Sequence, residues 1–212
     1  EYDAAQAYRA FNDLLIEKEP APDETVLTVQ KGYSSIFHKN GGNASYSAMA
    51  NTMRGIYGTD VLIAAANSFT GSVRQAEYTK KEAAAMVMPN GLRSYRCEMT
   101  GAELKKTVKA FVEGYEGGLP VFNRGSLPVV SGIAIEVQEN GGSYTLTGVT
   151  RNGQPVQDDD TFTVCCLSTP KYMEPLLAGG SCAFEEEENT VRNAWLDYVS
   201  AGSALLAEPE SY

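Results

Sequence analysis

The sequence predicts a mixed α/β domain of the α+β kind, a mixed sheet with flanking helices and antiparallel hairpins. Three observations predict it. The run Val61-Leu62-Ile63-Ala64-Ala65-Ala66 is continuously apolar, which fits a strand covered on both faces at the centre of a sheet. Two capping boxes, Thr79-Lys80-Lys81-Glu82 and Thr100-Gly101-Ala102-Glu103, each open a helix. The second half of the chain is β-rich and divided by Asn140-Gly141-Gly142 and Asn152-Gly153, the turn chemistry of tight hairpins. Helices and strands mix without a regular βαβ rhythm, so part of the sheet pairs antiparallel.

Taken in order, Asp3 to Glu17 places Ala4, Ala7, Tyr8, Phe11 and Leu15 near one helical face, and Pro20 and Pro22 stop that helix. Val26 to Gln30 reads as a strand and Tyr33 to Phe37 as a second, before Asn40-Gly41-Gly42-Asn43 breaks the chain. Ser45 to Tyr57 is a helix with Tyr46, Met49, Ala50, Met53 and Tyr57 on one side, ended by Gly58. The helix from Thr79 runs to about Val87, a short strand covers Leu92 to Glu98, and the helix from Thr100 runs to Glu113. After a loop from Gly114 to Pro128, strands are read at Val129–Gln138, Tyr144–Thr150 and Thr161–Leu167. Glu185 to Glu188 reads as a solvated acidic turn, and Asn189 caps a last helix holding Val191, Ala194, Trp195, Tyr198 and Val199. Residues 1–24 form a linker helix and linker, 25–205 a single domain and 206–212 a frayed tail.

Composition narrows the functions. The 212 residues are 43% apolar and 21% charged, an ordinary globular balance. Seventeen basic against 27 acidic residues leave a net charge of −10, the wrong sign for a nucleic-acid footprint. No apolar stretch reaches membrane-spanning length. His38 is the single histidine, so no multi-histidine metal site can be built from this chain, and any Ser-His-Asp or Cys-His hydrolase would pass through it. Of four cysteines, Cys165 and Cys166 are adjacent in a strand and point to opposite faces as packing residues. Cys97 and Cys182 are free to pair, and their spacing alone does not decide it. The chain starts at Glu1 without a targeting segment, as a processed chain or an excised piece would.

Chemistry concentrates in the loop after the buried strand, Asn67-Ser68-Phe69-Thr70-Gly71-Ser72-Val73-Arg74. Its amides can face an anion or a sugar hydroxyl, and Arg74 adds a planar fork suited to phosphate or carboxylate. A lone arginine after a loop is more often a surface ion-pair residue. Further patches are Pro89-Asn90-Gly91 with Arg93 and Arg96, and Thr169-Pro170-Lys171-Tyr172-Met173 leading to Gly179-Gly180. Phe69, Phe122 and Tyr172 are loop aromatics able to stack on a base, though packing on the domain body is the commoner role of such residues.

The order of these segments resembles the C-terminal domain of the 5′-nucleotidase family, which includes 5′-nucleotidases, cyclic-nucleotide phosphodiesterases and UDP-sugar hydrolases. The matching segments are Ala50-Asn51-Thr52-Met53-Arg54, Phe69-Thr70-Gly71-Ser72-Val73-Arg74, and Met99-Thr100-Gly101-Ala102-Glu103-Leu104-Lys105 preceded by Pro89-Asn90. Val129-Val130-Ser131-Gly132, then Gly153-Gln154-Pro155-Val156 with Thr161-Phe162-Thr163-Val164, and finally Leu176-Leu177-Ala178-Gly179-Gly180-Ser181 follow in the same order. The resemblance spans Thr25 to Tyr198.

The resemblance implies a substrate-binding domain of a secreted, bacterial-type metallophosphatase, located outside the cell or on its surface. Its partners are a nucleotide or other phosphorylated ligand and an N-terminal domain of the same polypeptide that carries two divalent metals and hydrolyses the ester. This chain then holds no cofactor, metal or catalytic residue of its own. Arg74, Ser72, Gly71 and Asn67 transfer as anion, ribose and hydroxyl contacts, Arg54 as a further cation, and Asn90, Tyr172 and Phe69 as the base or leaving-group side. Two family positions that stack on the base fall on Asn90 and near Pro175, and the family's loop aspartate is Ser181. Losing two stacks removes on the order of 2–6 kcal/mol of affinity. The alternative is therefore a degenerate structural or surface-binding module that no longer holds nucleotides.

Overall fold

A computed structural model describes residues 24–33, 43–65, 68–69, 73–88, 91–113, 128–141, 143–169, 173 and 184–202. The leading helix, the strand read at Tyr33–Phe37 beyond Tyr33, His38, Cys182 and the tail lie outside those residues. The centre is a five-stranded sheet in the order β10-β4-β9-β2-β5, built from β2 (Val61–Ala64), β4 (Arg93–Thr100), β5 (Val129–Ser131), β9 (Thr161–Ser168) and β10 (Glu185–Glu186). Only β2 and β9 run parallel, with Val61 opposite Val164 and Ala64 opposite Leu167; the other ladders are antiparallel.

All four β2 residues are buried, as the unbroken apolar run requires, because both faces of the sheet are covered. On one face lie α1 (Ala44–Tyr57), α4 (Val191–Ser200) and the pair β1 (Thr25–Val29) with β3 (Ala76–Thr79). Met49, Met53, Leu27, Leu62, Leu167 and Trp195 are core members there. On the other face α3 (Gly101–Glu113) joins the hairpin sheet of β6 (Ala134–Asn140), β7 (Ser143–Arg151) and β8 (Gln154–Pro155). Ile63, Tyr95, Leu104, Phe111 and Phe162 fill that side. Cys165 belongs to the first core and Cys166 to the second, as adjacent strand residues must.

Local sequence chemistry sets the element ends. In both capping boxes the threonine hydroxyl accepts from the glutamate N–H (3.3 Å), and the carboxylate accepts from the threonine N–H in return. Asn152 and Gly153 have φ of 52° and 75°, the pair of left-handed residues that a two-residue hairpin needs. Gly58 ends α1 in the left-handed conformation, its N–H bonded back to Arg54 and Gly55 carbonyls.

Four expectations are revised. The strand read as Val129–Gln138 is two strands, broken at Gly132, whose φ of 84° suits glycine alone and whose missing Cβ leaves room for the Asp60 carbonyl oxygen. The helix opened by Thr79 is one short segment, α2 (Lys80–Ala84). The last helix is capped by Thr190, whose hydroxyl takes the Asn193 N–H at 3.2 Å, rather than by Asn189. The acidic run is partly strand, since Glu185 and Glu186 pair with Arg96 and Tyr95.

Candidate functional site

The carboxyl ends of the parallel strands β2 and β9 are where open α/β sheets offer a crevice to a ligand. Each end carries a buried serine. Ser68 (1% exposed) follows β2 and Ser168 (2% exposed) closes β9, and neither hydroxyl has a hydrogen-bond partner among the described residues. Ser68 sits one residue beyond Asn67 in the loop singled out above; nothing in the sequence marks Ser168.

Phe69 is turned into the core. It is 1% exposed and bridges Val87, and its ring packs beside Tyr46 with centroids 6.5 Å apart at 43°. The side chain is a core group, which corrects its reading as a stacking aromatic. The chain then reaches the surface at Arg74, which is exposed.

The backbone on either side of that surface point is held from three directions. The Val73 carbonyl accepts from the Tyr33 N–H (2.7 Å), and the Val73 N–H donates to the Ser45 hydroxyl (3.2 Å). The Arg74 N–H donates to the Tyr78 hydroxyl (2.7 Å), which in turn donates to the Arg74 carbonyl (2.9 Å). Ser45 stands in the first turn of α1, just after its cap Asn43, whose side chain takes the Tyr46 N–H at 3.1 Å. No acidic residue occupies that turn. The positive end of a 14-residue helix therefore lies beside the Arg74 segment, a local excess of positive potential in a chain of net charge −10.

Arg54 is not brought to Arg74. It lies in the last turn of α1, about 14 Å along the helix axis from Ser45. Its Nε donates to the Ser131 hydroxyl (2.8 Å), which donates to Asn51 Oδ1 (2.6 Å), tying α1 to β5. That bond ties the carboxyl end of α1 to the sheet, at the opposite end of the helix from Ser45. Asn67, Gly71, Ser72, Asn90 and Tyr172 lie outside the described residues.

The titratable groups in the sheet interior are kept neutral. Burial pushes the Cys165 and Cys166 thiols up, so neither supplies the thiolate that a cysteine hydrolase needs. Burial likewise raises Tyr57 to about 12, and Tyr95 to about 12 with the nearby Glu186 charge adding to the shift. Cys97 is disulfide-bonded; Cys182, the partner weighed for it, is outside the described residues. Among the described residues no three His, Cys, Asp or Glu side chains are grouped to hold a metal, and no helix is long and apolar enough to cross a membrane.

The family description "5′-nucleotidase, C-terminal domain" matches residues 28–171. No curated protein sequence matches the chain. Among solved structures, the 5′-nucleotidase precursor of Thermus thermophilus superposes with a TM-score of 0.65 at 12% identity, over 98% of this chain and 42% of that one. The NAD nucleotidase of Haemophilus influenzae gives 0.59 at 17% identity, over 96% and 40%. The sulfate thiohydrolase SoxB of Thermus thermophilus, solved with glycerol, gives 0.64 at 12% identity, over 97% and 38%. The chain thus spans about two fifths of the length of these structures. With a matching description over most of its length and this sheet order, the chain belongs to the 5′-nucleotidase C-terminal domain family.

Proposed function

We propose that this chain is the substrate-holding part of a 5′-nucleotidase-like hydrolase that takes a nucleotide or related phosphorylated ligand. The observation that carries the proposal is Arg74, exposed on a backbone held by Tyr33, Ser45 and Tyr78 beside the amino end of α1. A guanidinium fork pairs with two oxygens of a phosphate, and the helix end favours the same charge. Gly71 and Ser72 would add backbone amides and Asn67 a hydroxyl contact, with Asn90 and Tyr172 toward the base. Hydrolysis falls to a metallophosphatase domain of the same polypeptide with two divalent metals. One histidine and the absence of a ligand cluster among the described residues do not fit such metals here, so no step is assigned to them on this chain. The Cys97 disulfide supports a secreted or cell-surface location, because such bonds persist in oxidising compartments.

A second reading has its own support. Phe69 is buried and the family's base-stacking positions fall on Asn90 and near Pro175, which favours a retargeted or non-binding module. A thermal-shift panel of 5′-AMP, NAD, UDP-sugars, sugar phosphates and inorganic phosphate decides between the two. At a hundred times its dissociation constant a ligand adds about 2.7 kcal/mol, a rise of several degrees at this size. A rise with one nucleotide class, lost in Arg74→Ala, is the expected result; no shift across the panel would overturn the proposal and leave the module.

A further inference from the structure

Two side-chain hydroxyls, those of Ser45 and Tyr78, bind the backbone at Val73 and Arg74. Both backbone groups of Val73 and both of Arg74 are satisfied without any helix or strand ladder. Two hydroxyls do most of this. Ser45 Oγ accepts from the Val73 N–H and donates to the Tyr33 carbonyl at 2.9 Å, so it ties three segments through one oxygen. Tyr78 Oη accepts from the Arg74 N–H and donates to the carbonyl of the same residue, as a facing strand would. Gly32 passes so close that a Cβ there would sit 3.0 Å from the Gln75 nitrogen, closing the third side. The Val73 side chain is buried (2% exposed) and anchors the segment below.

The buried Val73 N–H needs a partner wherever the chain goes and finds it in Ser45, whereas the exposed Arg74 N–H and carbonyl, open to water, are taken by Tyr78 instead. We propose that Tyr78 and Ser45 are positioning residues for ligand binding: they fix the Arg74 backbone so that its guanidinium meets an anion without a further ordering cost. Tyr78 comes from β3, where it pairs with Leu27 of β1, and Ser45 from α1, so the anchor is referenced to two rigid elements at once. The inference rests on Arg74 being the ligand's anchor, and its test separates the two.

The test uses the 212-residue chain with Tyr78→Phe, Ser45→Ala, Arg74→Ala and the Tyr78→Phe/Arg74→Ala double variant. Tyr198→Phe, an exposed tyrosine far along the chain, is the control. Backbone amide exchange at Val73 and Arg74 is read by NMR without ligand, and 5′-AMP affinity by calorimetry. Tyr78→Phe is expected to speed exchange at Arg74, Ser45→Ala at Val73, and each to weaken 5′-AMP by about tenfold, the scale of one or two well-made hydrogen bonds. In the Arg74→Ala background Tyr78→Phe should cost nothing more, because it acts through Arg74. An equal loss in that background, or unchanged exchange in Tyr78→Phe, overturns the inference. If wild type binds no 5′-AMP while exchange still responds, the reading of Arg74 as a nucleotide anchor fails and the backbone clamp alone stands.

Discussion

Asp60, at the start of β2, and Thr163, in β9, hold each other reciprocally. The Asp60 carboxylate accepts from the Thr163 N–H (2.9 Å) and hydroxyl (2.8 Å), while the Asp60 N–H donates to the Thr163 carbonyl (2.9 Å). Arg151 closes the group, pairing with the carboxylate at 3.0 Å and lying 5.2 Å over the Phe162 ring. The Thr163 N–H bond, helped by the Thr163 hydroxyl and Arg151, holds the Asp60 carboxyl below its ordinary 3.8 despite partial burial.

Asp60→Ala is expected to destabilise the fold by about 1–2 kcal/mol, kept low because the carboxylate is more than a third exposed. A depressed folded value means the contribution is complete above 3.8 and lost as pH falls through the folded value. Urea titrations from pH 7 to pH 2 should therefore show the gap between wild type and Asp60→Ala shrinking below pH 4. A gap of constant size would show that the carboxylate's charge plays no part.

Glycines divide by what lies beside them. A Cβ on Gly132 runs into the Asp60 carbonyl oxygen at a φ of 84°, and one on Gly101 into the Gln157 carbonyl oxygen. Either alanine should cost about 3 kcal/mol or more, since backbone has to move. Gly55 is helical with nothing within 4 Å, so Gly55→Ala should stabilise by about 0.5–1 kcal/mol. Thermal melts of the three variants give opposite signs if this packing is right.

Trp195, the only tryptophan, is fully buried and donates its indole N–H to the Ala83 carbonyl at 2.8 Å. Its emission should be blue-shifted and resist iodide quenching until α4 comes away from the core. Trp195→Phe removes that bond and leaves a small void, for about 1–3 kcal/mol by circular dichroism melts. Ready quenching in the native chain would contradict the docking of α4.

Cys165 and Cys166 are both 0% exposed and free, whereas Cys97 is bonded. Native protein should leave those two thiols unlabelled by iodoacetamide, and unfolding should release them. Reduction should lower stability by about 2–4 kcal/mol through loss of the cross-link. Labelling of either thiol at native conditions would refute their placement between the layers.

Much of the fold was legible because its signals are local. The capping boxes at Thr79 and Thr100, the Asn152-Gly153 turn and the apolar β2 run each depend on neighbours in sequence. β3 escaped notice because Ala76-Glu77-Tyr78-Thr79 is short, half exposed and defined only by pairing with β1 far upstream. Glu185-Glu186 pairs by its backbone, to which acidic side chains are indifferent. Around the candidate site, the exposure of Arg74 was legible from its place in a polar, glycine-containing loop after β2. The hydroxyls of Ser45 and Tyr78 were not, since a side chain bonded to distant backbone leaves no periodicity. The bond from Arg54 to Ser131 was hidden for the same reason, its partner being supplied by β5 across the core.

The order of strands in the central sheet also governs when the molecule can exist at all. β2 and β4 do not pair with each other; both pair with β9, and β9 follows them by many residues. A nascent chain therefore carries two unsatisfied strand edges until Thr161 to Ser168 has emerged, and closure depends on contacts between remote segments. Chains interrupted before Thr161 lack the sheet's middle, not a margin of it, and expose the edges through which strands aggregate. Late synthesis of one strand makes the assembly nearly all-or-none.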